Sequence, residues 1–517
     1  MKKATNLILV FIFINLIGYA QFNPDETGKS LVKVMVKGGG EANVCSGFIW
    51  QKDEWIVTSL HAMKKNGTIQ VQYLNKYWRD AEIIKTLPKS DLVLLKTNIA
   101  AKPLSSPVKP ITSYASGVAF PEKIYAQGYH GGADGHRTQS LEKGHANPET
   151  IEYLVVKEES KQLVARLGIP QLNLPILYLN GSLLPGYSGA PIYNAKGELV
   201  GIGDGGLEGG QVNVSWAIPA RFIDELMNSA TAELPANMDQ LDLLFSAKVS
   251  VKIETENIEE IQEVFAENYV SYASGDFEFY QTKTRSFHDM FESSIDPENL
   301  DYFVQDFTEG NLFINYDMLG FDIYEDAING VIIAVPEGVK LYYDESTATF
   351  SADLKNNFLY GNYFTLEYSG FAGGRVFTDV DMAVDMLLEQ IDLNYGPLVN
   401  GFYEDEEYSY SLQIDEKREV AYILYSGNSF FTDALGDQND LKMYLTVLLD
   451  DNKVFYTLST ISLPVYKLAD AVTYGIDCIN NYQNSPEYCD FFELFMHVIA
   501  SSHMTTFANT NVVATRK

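Results

Sequence analysis

The sequence predicts a multidomain chain, with an all-β first part joined to an acidic α+β second part. Three observations lead there. The chain has 517 residues, enough for two to four separate cores. From Ser30 to about Pro219 it consists of short apolar runs split by Gly, Pro and Asn, the spacing of a barrel or sandwich. The charge is divided sharply. Residues 236–517 hold 48 acidic and 14 basic side chains, and the rest holds 21 and 23, within a net charge of −32. This puts a boundary near residue 235. It also argues against nucleic acid and anionic membrane surfaces as partners.

The N-terminus reads as an export signal over residues 1–20. Lys2 and Lys3 precede an apolar core from Leu7 to Ile17, and Gly18-Tyr19-Ala20 offers small residues for cleavage before Gln21. That core is shorter than the roughly 20 residues a membrane span needs, and no later segment is long and apolar enough. The expected localisation is exported, periplasmic or extracellular. Within residues 21–230, Leu31–Val36, Gly47–Trp50, Glu54–Thr58, Thr68–Tyr73 and Leu92–Lys96 read as strands, and Arg221–Ser229 as a closing amphipathic helix. Residues 231–240 read as a linker. Beyond it, over 241–517, Ile258–Tyr272, Val380–Ile391 and Leu468–Tyr482 have helical spacing. Tyr408–Ile414 with Glu419–Tyr425, and Met443–Asp450 with Lys453–Ser459, read as hairpins. A strand–strand–helix order near 363–391 and again near 443–482 suggests two similar units.

Three islands carry the chemistry: Val57-Thr58-Ser59-Leu60-His61-Ala62, Ser90-Asp91-Leu92-Val93-Leu94-Leu95 and Gly186-Tyr187-Ser188-Gly189-Ala190-Pro191. They supply a base, an acid and a nucleophile. A serine hydroxyl needs an imidazole to take its proton and a carboxylate to hold that imidazole's tautomer.

With Cys45–Ile49, Ala126–Tyr129, Leu199–Ile202 and Val214–Pro219, these islands resemble the trypsin/chymotrypsin-like serine peptidases, most closely their bacterial HtrA-type branch, over about residues 30–227. The resemblance implies a double six-stranded barrel and an endopeptidase acting on protein or peptide substrates without a cofactor. It makes Ser188 the nucleophile, His61 the general base and Asp91 its orienting partner. The N–H groups of Gly186 and Ser188 become the oxyanion hole. It assigns Ser182 to the base of the specificity pocket, Ser215 to a hydrogen bond near Asp91, and Val214, Ser215, Trp216 and Ala217 to a strand that pairs with substrate. Tyr187 stands where trypsin has the aspartate that binds a freed N-terminus, so no such activation is expected. Ser182, beside Leu183 and Leu184, predicts cleavage after apolar residues. A binding protein that keeps this fold without activity, and a chaperone with weak proteolysis, are the alternative functions.

The remaining polar clusters read as structure or surface. His130, His136 and His145 are expected in a surface loop, with no metal. Asp433, Asp437 and Asp440, and separately Glu404–Glu407, lack the order of a calcium loop. Cys478 and Cys489 are read either as a disulfide or as two free thiols, with Cys45 left as a small buried residue. The oligomeric state is left open.

Overall fold

The computed structural model describes residues 22–464 with internal gaps, the longest at 287–319. The expected export signal, the 468–482 helix, Cys478, Cys489, His145, Asp433 and Asp437 lie outside the described residues. The chain divides into two compact units, the first ending at Val270 and the second beginning at Ser271.

In the first unit, strands β1 (Leu31–Gly38), β2 (Glu41–Ile49), β3 (Trp55–Ser59), β4 (Thr68–Gln72), β5 (Trp78–Leu87) and β6 (Leu92–Thr97) pair in the order β1-β4-β5-β6-β3-β2. β1 and β2 also pair, which closes a six-stranded barrel. Closure leaves no free edge to the ring. Its interior is apolar: Val32, Val34, Ile56, Val71, Val93 and Leu95 share the inward face and are buried in one continuous core.

A second sheet follows. It comprises β7 (Lys123–Gly128), β8 (Arg137–Lys143), β9 (Glu149–Thr150), β10 (Pro175–Asn180), β11 (Pro191–Asn194), β12 (Leu199–Gly205) and β13 (Val214–Pro219). Its order is β13-β12-β11-β7-β8-β10-β9, and β13 also pairs with β10. Short helices α1 (Pro24–Gly28), α2 (Ile151–Leu154), α3 (Glu158–Leu167) and α4 (Phe222–Asn228) complete this part. The expected closing helix is α4, whose Phe222, Ile223 and Leu226 are buried.

The chain beyond 230 departs from the expected linker and boundary. Thr86 N–H donates to Thr231 O at 2.9 Å and Thr86 Oγ1 to Glu233 O at 3.0 Å, pinning residues 231–233 to β5. Then β14 (Val249–Lys252) pairs antiparallel with β2, from Val249↔Val44 to Lys252↔Glu41. Helix α5 (Ile258–Asn268) covers it. Met35, Ala42 and Val44 alternate outward from the barrel and need an apolar cover, which Val249, Val251, Ile261 and Phe265 provide. The composition shift near 235 marked charge, while the packing carries the first unit to 270. Phe265→Ala is expected to lower unfolding free energy by about 3–5 kcal/mol, because Phe265 is fully buried in that cover. Urea denaturation followed by tryptophan fluorescence checks it.

The described part of the second unit holds a four-stranded and an eight-stranded antiparallel sheet. The expected hairpins are present, the first strand shorter than expected and the other three longer. Tyr410–Gln413 pairs with Arg418–Thr432, and Gln438–Asp450 pairs with Lys453–Pro464. Helix α6 (Val380–Tyr395) begins at Asp379, whose Oδ1 accepts Met382 N–H at 2.9 Å. Its buried Val380, Ala383, Val384, Leu387 and Ile391 form one stripe against Ala421, Met443 and Leu445 of the larger sheet. Tyr272, expected at the end of a helix, starts a strand instead.

Candidate active site

His61 sits in a single 3₁₀ turn, Leu60–Ala62, directly after β3. Asp91 ends another such turn, Pro88–Ser90, directly before β6. Because Ser59 pairs with Leu92 across β3 and β6, the two turns lie side by side. Asp91 has φ +52°, a left-handed conformation that Asp tolerates better than most residues and that sites often retain. This conformation aims the carboxylate at His61. Asp91 Oδ1 accepts His61 N–H at 2.8 Å, and Asp91 Oδ2 is hydrogen-bonded to His61 Nδ1.

Ser188 arrives from the other sheet, on the turn before β11. Its Oγ lies 2.9 Å from His61 Nε2. The approach is possible because Gly189 has no side chain: a Cβ there would collide with Thr58 Oγ1 and Ser46 O. Ser46 N–H donates to Ser188 O at 3.0 Å, and Thr58 Oγ1 donates to Ser46 O at 2.6 Å, so β2 and β3 clamp the turn. His61, Asp91 and Ser188 are all buried.

Within the turn, Tyr187 N–H donates to Leu184 O and Ala190 N–H to Tyr187 O, while Gly189 N–H donates to Gly203 O of β12. Gly186 and Ser188 provide the two amides beside the nucleophile. Gly186 has φ +93°, and a Cβ there would clash with Tyr129 O and lie 3.1 Å from Gly131 N. Gly131 N–H in turn holds Pro185 O at 2.8 Å, and Ser46 Oγ donates to Gly186 O at 2.8 Å. Tyr187 is fully buried, and its hydroxyl donates to Arg137 O at 3.0 Å.

Two sequence expectations need correction. Ser215 does not reach Asp91. Its Oγ accepts Leu183 N–H at 2.7 Å, beside Ser182, whose carbonyl accepts Gln139 Nε2–H at 2.7 Å. Of the strand Val214–Ala217, Trp216 and Ala217 have no free edge for a substrate strand. One edge pairs with β10, from Leu177↔Ala217 to Asn180↔Val214, and the other with β12, including Gly203↔Ala217 and Gly205↔Trp216. Where both ladders are filled, a strand has no backbone groups left to offer. The histidine loop differs too: His130 is buried, and Arg137–Lys143 is strand β8.

The residue that sequence reasoning missed is Asp204, at the end of β12. It is fully buried, with Oδ1 3.7 Å from His61 Nδ1. Trp216 Nε1–H donates to its Oδ2 at 2.8 Å and Ser59 Oγ to its Oδ1 at 3.3 Å. The available signal was a charged residue within Leu199–Gly205, a strand otherwise all apolar or glycine. Burial pushes Asp91 up to about 7, against the lowering pull of hydrogen bonds from Asp204 and His61 N–H. It pushes Asp204 well above the usual range, helped by the neighbouring Asp91. His61, Asp91 and Asp204 also have ligand-type atoms within 4.8 Å of one another, but each is engaged in these hydrogen bonds. Cys45, 3.4 Å from Thr58 Oγ1, is a buried free thiol raised to about 12 by desolvation. That keeps it protonated and unreactive.

Residues 45–202 match the family described as "Trypsin-like peptidase domain". Proteins named "Probable periplasmic serine endoprotease DegP-like" are similar: that of Hahella chejuensis is 29% identical over 188 residues, and that of Chlamydia muridarum 25% over 193. Each match covers 35% of this chain, and the chain spans about a third of these relatives' own length, 34% and 33%. Among solved structures, an HtrA-type protease with a tripeptide aligns with TM-score 0.31 and 17% identity, over 40% of this chain and 61% of that one. A protease from M. tuberculosis in its active form aligns with TM-score 0.33 and 16% identity, over 41% and 85%. The chain thus carries a trypsin-like peptidase domain, similar to that of the DegP-like endoproteases.

Proposed function

We propose that the protein is an exported serine endopeptidase of double-barrel type, working through His61, Asp91 and Ser188. The observation that carries this reading is the continuous hydrogen-bonded line from Asp91 through His61 to Ser188 Oγ, with 2.9 Å at its reactive end. Ser188 Oγ attacks the scissile carbonyl while His61 Nε2 takes its proton. The imidazolium is held by Asp91, then protonates the leaving amine. Water, deprotonated by His61, hydrolyses the acyl-enzyme. The N–H groups of Gly186 and Ser188 stabilise the oxyanion.

The corrected pairing moves the expected substrate edge from Val214–Ala217 to Asp204–Gly205. There β11 has ended, its last pair on this side being Pro191↔Ile202, and Asp204 O is 3.5 Å from Ser188 Oγ. A substrate backbone laid along that edge brings its carbonyl to the nucleophile. In this reading the buried Ser182, Leu183, Leu184 and Ser215 form the uncharged base of the specificity pocket. This favours apolar side chains before the cleaved bond. The acidic second unit is read as an accessory region, and export rests on the Lys2–Ala20 pattern.

Incubation of the full-length exported protein with a diverse peptide library tests the reading. Cleavage after medium apolar residues, absent in Ser188→Ala, is expected. A profile dominated by Arg or Lys overturns the pocket assignment. Intact peptides with correctly folded protein leave a binding protein.

A further inference from the structure

Asp204 is a buried titratable group beside His61 that the chemistry above leaves unused. The titratable groups facing it are Asp91 and His61, and Asp91 also faces the neutral Cys45 thiol. One imidazole can neutralise only one carboxylate. Two ionised carboxylates here would leave an uncompensated charge away from water, so one of them holds a proton.

The hydrogen bonds identify which. Asp91 accepts from His61 at both oxygens, so it is the ionised partner. Asp204 Oδ2 accepts the Trp216 indole N–H, which can only donate. Oδ1, on the His61 side, is left to carry the proton, and it still accepts from Ser59 Oγ. Resting on the peptidase reading, we infer that Asp204 is a positioning residue. Its neutral carboxyl donates to Asp91, holds that carboxylate turned onto His61 Nδ1, and moderates the basicity of His61. The side-chain hydrogen bond lowers Asp91 while raising Asp204, consistent with a donor and an acceptor. One proton is shared between two carboxyls, and the pair presents a single negative charge to the imidazole.

The test follows the His61 imidazole by NMR titration in wild type, Asp204→Asn and Asp204→Ala. The rate of fluorophosphonate labelling is measured on the same samples. Asparagine keeps a donor and a neutral charge, so the His61 pKa is expected to stay within about 0.3 unit of wild type. Alanine leaves Asp91 without its donor and more basic. Its stronger pull on the imidazolium is expected to raise the His61 pKa by about 1 unit and slow labelling at pH 7 about threefold, with asparagine restoring most of the rate. A fall of a unit or more in Asp204→Asn would show an ionised Asp204 and overturn the proposal. So would an unchanged pKa in Asp204→Ala. The titration does not depend on turnover. A wild type that fails to label but shows this pattern defeats the peptidase reading and leaves the Asp204 assignment standing.

Discussion

Alanine at Ser188 is expected to abolish fluorophosphonate labelling and lower kcat by about 10⁵–10⁶, leaving KM nearly unchanged. The hydroxyl is the only group at that position able to form the acyl-enzyme. Its removal leaves oxyanion stabilisation and binding, which by themselves act on a poorly oriented water. His61→Ala should cost almost as much. Ser188 Oγ lies 2.9 Å from His61 Nε2 in a buried site, where no bulk water substitutes as base. Combining the two changes should add little to either, because the residues act as one unit. Steady-state kinetics on a peptide taken from the library screen checks this. A His61→Ala variant within tenfold of wild type would show that another base serves Ser188.

Gly186→Ala is expected to reduce kcat by about 10²–10³. The reason is backbone geometry. Gly186 has φ +93°, a region costly for residues with a Cβ, and the added carbon would strike Tyr129 O. That carbonyl cannot yield easily: Tyr129 N–H is held by Ser46 Oγ at 2.8 Å, and Gly131 N–H holds Pro185 O. The turn must therefore move, and the amides of Gly186 and Ser188 lose their common aim. The expected signature is a fall in kcat with a small change in KM, since the developing oxyanion exists only in the transition state. Fluorophosphonate labelling should slow in parallel. Equal losses in kcat and in folded fraction, with normal activity per folded molecule, would show instead that Gly186 serves folding alone.

The legible parts of this protein are those written in contiguous residues. The alternating apolar runs of β1 and the continuous run Leu92–Leu95 announced strands, because side-chain period and burial on both faces leave a local pattern. His61, Asp91 and Ser188 each stood in a local context that pointed to the role proposed for it. Their meeting was not visible there, since Ser188 and His61 lie 127 residues apart. Ser215 misled for a related reason. A Val-Ser-Trp segment has the right residue types for a substrate strand, yet only the ladders reveal that Trp216 and Ala217 are paired on both sides. The charge change near residue 235 likewise reports surface composition, and β14 crosses it to finish an apolar cover on β2.

By itself, then, the sequence determined the all-β character of the first part and the acidic character of the second, and it singled out the three residues that the fold joins in one hydrogen-bonded line. The tertiary structure decided which carboxyl besides Asp91 faces His61, which edge is free beside Ser188 and where the first unit ends. Each of these depends on pairing across distant segments. Hydrogen-bond ladders and burial are set by what lies opposite in space, and neighbours along the chain carry no record of it.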